Sequence, residues 1–390
     1  MSQTLQNYLA SKLNDEQFKA ATHTQSSALI LAGAWSGKTR TLTYKIAYLM
    51  FEHDVPLRNI LAVTFTNKAA AEMRERLQEV SRDLHTHIPT IKPLRFSRWN
   101  NRIGTFHSIF LRILKEDIDK TDFWFTTNFG VYDSDESYGL IKQILKADRM
   151  DKVVAPKEVR WAISRLKNEW TLPESYKRQA STQQETVIAE TYEAYQTQLQ
   201  IANAMDFDDL LLYPYRMFKS HPEILKKRQD RFTYILVDEA QDTNWIQFEL
   251  MKLLTNHDQY NISLIGDDFQ SIYGRRGAMM ENFLNVHKIR PDIQIFKLQT
   301  NYRSKSHIVQ AWSALIKHNT NQYEKEIVAH RSWSEQITIF EHSDDSSEAL
   351  NLVEFIKKLK ERDQSSRSNF AILYRTNAQS SSFEQVLVQE

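Results

Sequence analysis

The sequence predicts an α/β protein built on a parallel sheet, with a helical insertion and an incomplete second α/β domain. Three patterns carry that expectation. Residues 27–32 (SALILA) are a short apolar run entering a glycine-containing turn, and 38–50 (KTRTLTYKIAYLM) then places apolar residues at helical spacing. Residues 60–65 (ILAVTF) and 67–80 (NKAAAEMRERLQEV) repeat the order, a buried strand and then a helix rich in Ala, Glu and Arg. Strands alternating with helices imply a parallel sheet. Further along, 234–237 (YILV) and 262–265 (ISLI) are short, apolar and each followed by acidic residues, as expected where sheet strands end at a ligand site.

Between these groups, from about 110 to 200, the pattern turns helical, with Trp, Tyr and charged residues interleaved and no strong strand candidate. The chain therefore divides into a first sheet segment at 1–109, a helical insertion at 110–200, a second sheet segment at 201–298, and the start of another α/β domain at 299–390. In that last part, 336–340 (QITIF) and 369–374 (NFAILY) read as strands around a helix at 347–359, and the domain is cut short by the chain end.

Composition bounds the function classes. At 390 residues the chain is too long for one typical core. Hydrophobic residues make up 41% and charged residues 25%, and no apolar run approaches the roughly 20 residues of a membrane helix, so no membrane association is expected. The N-terminal stretch MSQTLQNYLASKLNDEQ has no basic segment followed by an apolar core, which predicts a cytoplasmic protein. The absence of cysteine excludes disulfides, thiolate zinc sites and Cys nucleophiles. Fifty Lys and Arg against 49 Asp and Glu give a net charge of +1, so any nucleic-acid surface must be local.

The turn after the first strand runs Ala32, Gly33, Ala34, Trp35, Ser36, Gly37, Lys38, Thr39 and Arg40. Its Gly-Lys-Thr ending is that of a phosphate-binding loop, in which backbone N–H groups and a helix N-terminus converge on phosphate oxygens, Lys neutralises β/γ charge, and the Thr hydroxyl reaches Mg²⁺. The strict G-x-x-x-x-G-K-[ST] spacing fails by one residue, because Ala32 stands where the first Gly belongs and Gly33 follows it. Its context strengthens the assignment: a strand precedes, a helix follows, and a later strand ends in Asp238-Glu239. In that pair Asp238 can hold the magnesium shell and Glu239 can polarise an attacking water. ATP and Mg²⁺ are the expected ligands.

The order of further motifs makes the resemblance specific. LNDEQFKA (13–20), AVTFTNKAAAEMRERL (62–77), GTFHS (104–108), MDFDDLL (205–211), VDEAQDTN (237–244), IGDDFQSIYGRRGA (265–278), NYRS (301–304) and ILYRTNAQS (372–380) resemble, in register, the motifs of UvrD/Rep/PcrA-like superfamily 1 DNA helicases over nearly the whole chain. The resemblance implies a RecA-like P-loop motor domain with a helical insertion and a second motor domain. It implies ATP-dependent 3′ to 5′ movement on single-stranded DNA, in repair or replication.

Residue by residue, it implies that Gln17 reads the adenine edge, Lys38 and Thr39 bind phosphate and Mg²⁺, Tyr302 packs on the base, Gln270 senses the γ-phosphate, and Arg303 meets that phosphate in the transition state. Each role suits the chemistry: Gln offers a donor and an acceptor, Tyr a flat face, Arg a forked charge. A lone Tyr or Gln would mean nothing; the ordered set carries the assignment. On the DNA side, strands are held by stacking on flat side chains along a phosphate-tracking groove. The resemblance places Phe65, His107, Tyr273 and Arg275 there, with single-stranded DNA and its junctions with duplex as partners, alongside repair or replication proteins. Arg160, Trp161, Arg165, Lys167 and Trp170 read either as a strand surface or as a solvated helix face with core tryptophans.

The pattern breaks in places. Trp35 stands where the family has Gly, and if the loop needs positive φ there, strain and obstruction of the phosphates are expected to weaken ATP binding or turnover. Arg275 replaces a Trp usual in the family, though an Arg plane also stacks. The later family motifs lie beyond Glu390, so the chain is expected to bind nucleotide better than it hydrolyses it and not to unwind duplex alone. The rival expectations are a catalytically weakened DNA- or partner-binding remnant and a helicase subunit of a helicase-nuclease complex.

Overall fold

Four apolar runs fold into neighbouring strands because both of their faces are covered. In the computed structural model, which describes residues 2–96, 102–255, 262–271, 280–333 and 336–389, the strands are β1 (Ala28–Ala32), β2 (Ile60–Thr64), β3 (Ile103–Thr105), β4 (Gly130–Val131), β5 (Ala204–Met205), β6 (Tyr234–Val237), β7 (Ile262–Gly266), β8 (Gln294–Leu298), β9 (Thr300–Lys305) and β10 (Val328–Arg331). Six form one parallel sheet in the order β3-β2-β6-β7-β1-β8. Alternate residues serve opposite faces: Leu29, Leu31, Leu61, Val63, Ile235 and Val237 enter one core, while Ala28, Ile30, Ala32, Ile60, Ala62 and Leu236 enter the other. Burial on both faces is why these strands are continuously apolar rather than alternating.

The expected first units are present with small changes of boundary. The helix after β1 runs Lys38–Glu52 and that after β2 runs Asn67–His87, a full two turns beyond the Ala-rich stretch, because Leu84 continues the buried stripe of Met73, Leu77 and Val80. Its N-cap is Thr66, whose hydroxyl accepts from the Ala69 amide at 3.1 Å. The helix Phe106–Asp117 buries Phe110, Ile113 and Leu114 in the sheet's own core. The helices Ser134–Ala147, Pro156–Asn168, Pro173–Gln179 and Gln183–Ile201 follow; Ile141, Leu145, Val159, Ile163, Tyr192 and Tyr195 close a separate core. Here the two-residue strands β4 and β5 pair in parallel at the insertion's root, a contact too short to leave a sequence signal.

Two expected strands do not form. Residues 336–340 and 369–374 pair with no strand among the described residues, Asn369 instead closing a short 3-10 turn at Arg367–Asn369, and Ile339 and Leu373 are 89% and 93% exposed. A strand exists by its ladder, and apolar alternation without a neighbour does not make one. The chain forms two compact units, 1–333 and 334–390. In the second, the helices Asp345–Asp363 and Ser380–Gln389 meet through Ala349, Val353, Phe383 and Val386. Among the described residues no helix is long and apolar enough to cross a membrane.

Candidate functional site

Because every strand of the large sheet points the same way, the turns that follow β1, β2, β3, β6 and β7 gather along one edge. The turn after β1 is the phosphate-binding loop. Gly37 has φ +87°, and a Cβ there would lie 2.6 Å from the Gln17 side-chain nitrogen, so both conformation and space demand glycine. The helix beginning at Lys38 aims its free amides into the loop.

Lys38, Glu239 and Asp238 are brought together. The Lys38 Nζ lies 2.6 Å from Glu239 Oε2. Glu239 has φ +52°, a strained position for a side-chain-bearing residue of the kind that clusters at functional sites. Asp238 is buried, and its carboxyl is pushed up to about 6 by burial and by the neighbouring Glu239 charge. Gln241, absent from the sequence-derived set although it lies in the VDEAQDTN motif, organises this edge. Its Nε2 donates to Glu239 Oε2 and to Asp242 Oδ2, each at 3.0 Å, and its Oε1 accepts from the Asp267 amide at 3.0 Å. That bridge from β6 to β7 passes over Gly266, where a Cβ would stand 2.4 Å from Gln241 Oε1.

Gln270 follows β7, as expected, and its Nε2 donates to Asp267 Oδ2 at 2.7 Å. Asp267 and Asp268 are buried, and Lys325 Nζ reaches them at 2.5 and 2.6 Å. Lys325 lies in no motif, and no pattern in its local sequence (NQYEKE) marks it. The ring of Tyr302 and the amide of Gln17 are held at the loop's flank. Gln17 Nε2 donates to the Ser36 carbonyl at 2.8 Å, its Oε1 accepts from the Asn14 amide at 3.2 Å, and Asn14 Nδ2 donates to Tyr302 Oη at 2.7 Å. The Asn14–Gln17 pair is also the capping box of the helix Asp15–Thr22, so one local helix signal positions the residue expected to read a base.

Other members of the set are placed differently. The Ser36 hydroxyl is buried and has no hydrogen-bond partner. Arg40 turns away, its Nη2 donating to the Lys12 carbonyl at 2.6 Å. Trp35 has φ +57° and is 58% exposed, so the positive φ is realised and the indole stands largely in solvent. Arg303 lies over it, the guanidinium carbon 3.6 Å from the ring centroid.

A second site occupies the ends of β2 and β3. Phe65 and His107 line an open cavity of about 350 Å³ with Thr64, Phe207, Asn244 and Gln247. His107 stacks on Phe207 at 3.8 Å between centroids and 22° between planes. Burial drives His107 down to about 4, so the ring is neutral and flat at neutral pH. Phe207 was not singled out, although the MDFDDLL motif contains it; its 57% exposure, not its identity, marks it as a stacking face. Tyr273 and Arg275 lie outside the described residues.

The basic and aromatic cluster of the insertion separates. Lys167 is fully buried, 2.7 Å from Asp206 and 2.8 Å from Asp209. Trp161 and Trp170 are not core residues: they are 62% and 40% exposed, and Trp170 stacks near Trp245 at 6.4 Å. The aliphatic positions of the Pro156–Asn168 helix fill its core face and leave Trp161 on the other. Asn168 joins the insertion to the sheet edge, accepting from Asn244 Nδ2 at 2.6 Å and donating to Asp208 Oδ1 at 2.8 Å.

A glycine-bearing loop between a buried parallel strand and a helix N-terminus, with its Lys paired to an acid ending a nearby strand, defines a P-loop NTPase. Residues 13–291 match the UvrD/REP helicase N-terminal domain and residues 296–390 the UvrD-like helicase C-terminal domain. The chain belongs to the UvrD/REP helicase family. It is 39% identical over 384 residues to proteins named ATP-dependent DNA helicase PcrA from Staphylococcus epidermidis and Staphylococcus aureus, an alignment covering 98% of this chain and 50% of each relative. The chain thus spans about half the length of the curated relatives it matches.

Proposed function

We propose that the chain serves an ATP-dependent 3′ to 5′ DNA helicase, coupling ATP hydrolysis to movement along single-stranded DNA. The observation that carries this is the Lys38–Glu239 pair at 2.6 Å beside buried Asp238, directly next to a cavity lined by Phe65, His107 and Phe207. Lys38 leaves Glu239 for phosphate, and Glu239, relieved of its cation, takes up the attacking water. Gln270, held by Asp267, faces the terminal phosphate, and Gln17 with Tyr302 flanks the base. Phe65, His107 and Phe207 stack DNA bases one strand away from the acids.

The residues present fit Mg²⁺. Asp238 is a buried carboxylate whose neighbour Glu239 already holds the lysine, so it lacks a cation of its own. Mg²⁺ typically takes only one or two protein ligands besides phosphate oxygens, and Asp238 with the Thr39 hydroxyl supplies that number. When bound, the ion neutralises phosphate charge. Strand junctions as substrates, a role in repair or replication and a cytoplasmic location belong to the same proposal.

The test is ATP hydrolysis by the purified chain with and without oligo-dT. Stimulation by the oligonucleotide, lost in Lys38→Ala, is expected. Retained strand binding with no hydrolysis would replace this reading with that of a non-catalytic DNA-binding protein. Displacement of streptavidin from 3′- or 5′-biotinylated strands reads direction.

A further inference from the structure

Arg303 is an exposed arginine on a strand, a setting in which its long side chain ordinarily samples many rotamers. Here it does not lie free. Its guanidinium covers the indole of Trp35 at 3.6 Å. The backbone beneath is tied to the same place: Gly33 N–H donates to the Leu298 carbonyl at 2.9 Å, Asn301 Nδ2 donates to the Ala34 carbonyl at 2.8 Å, and Tyr302 N–H donates to the Trp35 carbonyl at 3.3 Å. Residues 33–35 of the phosphate loop and residues 298–303 are therefore one seam, and the Trp35–Arg303 contact is its outermost stitch.

The indole is not there to fill space, since it is 58% exposed. Nor is it there for backbone comfort, because φ +57° is a conformation that a bulky L-residue enters only under strain. What the strain achieves is to turn a flat, electron-rich face outward beside Ser36 and Lys38, where a planar cation can rest on it.

We propose that Trp35 is a positioning residue for Arg303, holding the guanidinium at the lip of the phosphate loop so that it is presented to the terminal phosphate of a bound nucleoside triphosphate. The inference rests on the nucleotide reading above and gives Trp35 the opposite sign to a mere obstruction. Ordering Arg303 before the ligand arrives lowers the entropic cost of engaging it. A diphosphate, which has no terminal phosphate to meet Arg303, gains nothing. Trp35 therefore acts on discrimination between triphosphate and diphosphate rather than on nucleotide binding in general.

The experiment measures equilibrium affinities for ADP and ATPγS, each with Mg²⁺, on the full chain. It compares the unaltered protein with Trp35→Gly, Trp35→Phe, Arg303→Ala and the Trp35→Gly/Arg303→Ala double variant, with a thermal melt of each to show that it is folded. An exposed cation–π contact sets the expected size: Trp35→Gly reduces the ATPγS-over-ADP preference by about two- to fivefold, a ratio in which any change of loop affinity common to both nucleotides cancels. Trp35→Phe restores most of it, and the double variant loses no more than Arg303→Ala alone. Independent, additive losses overturn the proposal, as does a preference that is unchanged or raised in Trp35→Gly. If the unaltered chain binds neither nucleotide, the nucleotide reading falls and this one with it; a normal preference that Trp35→Gly leaves untouched overturns this one alone.

Discussion

Lys38 and Glu239 neutralise each other at 2.6 Å in the nucleotide-free chain, although each is assigned to a different task. The pair keeps a lysine and a carboxylate from standing uncompensated in a partly enclosed site. A phosphate that claims the lysine at the same moment frees the acid.

Glu239→Gln removes the acid but keeps its shape. Nucleotide affinity is expected to hold or improve, because Lys38 no longer has to be drawn from an anion. The hydrolysis rate is expected to fall by about 10²–10⁴-fold, the range for loss of a general base. Paired titration and single-turnover measurements check both, and a parallel loss of affinity and rate would contradict the assignment.

Asp238 gives the site a pH dependence of defined sign. Its folded value of about 6 lies above the ordinary carboxylate range, so the protonated native form is favoured, and that contribution to stability is lost as pH rises through about 6. Mg²⁺ needs the ionised form. Mg²⁺-dependent ATP affinity should therefore fall about tenfold from pH 7 to pH 5, while the melting temperature contribution of this group moves the other way. Asp242, also pushed up to about 6 by burial and by Glu239, titrates in the same window, so Asp238→Asn and Asp242→Asn are compared by calorimetry. The affinity slope should vanish only in the first.

Phe207→Ala tests the stacked pair. Removing one aromatic face that meets a base costs about 1–3 kcal/mol, so affinity for a labelled oligo-dT should drop roughly 5- to 150-fold. Nucleotide affinity without DNA should stay as it was, since Phe207 lines the His107 cavity and stacks on that ring. Unchanged strand affinity would remove this cavity from the DNA path.

Lys167→Met probes the insertion's anchor. The buried ammonium holds Asp206 below its ordinary range against the burial that would raise it, while Asp209, raised to about 7 by burial and by Asp206, shares the same cation. Deleting the lysine leaves both carboxylates buried without a cation, a loss of about 3–5 kcal/mol. Without the cation, burial lifts Asp206 above its unfolded value and Asp209 further above its own, so the variant's stability falls as pH increases and recovers toward pH 5. Denaturant melts at pH 5 and pH 8 read the difference.

What was legible in the sequence was whatever short-range pattern dictates. The runs at 28–32, 60–64 and 234–237 could be read because a strand covered on both faces is apolar throughout, and the loop between them because glycine, lysine and threonine leave few alternatives. Long-range pairings were not legible. Lys325 meets Asp267 and Asp268 across 58 and 57 positions of chain, and nothing in its neighbourhood announces a buried cation. Lys167 looked like a surface lysine because burial of a charge depends on a partner 39 residues away. The segments at 336–340 and 369–374 failed for the converse reason: their apolar pattern suits a strand, but no strand pairs with them among the described residues. Trp35 was recognised as anomalous, yet its direction depended on a backbone angle and on Arg303, neither of which spacing encodes.

The parallel register of β2 and β6 reaches further than the fold. The amide of Asp238 donates to the carbonyl of Val63 at 2.8 Å, two residues before Phe65. In the function proposed above, the acid that serves hydrolysis and the face that stacks on DNA thus lie on strands joined by one peptide hydrogen bond, not by a lever arm. A displacement of a fraction of an ångström at the acid need not be amplified to be felt at the base-stacking face. The path between them runs along a sheet ladder that is covered by a core on each face.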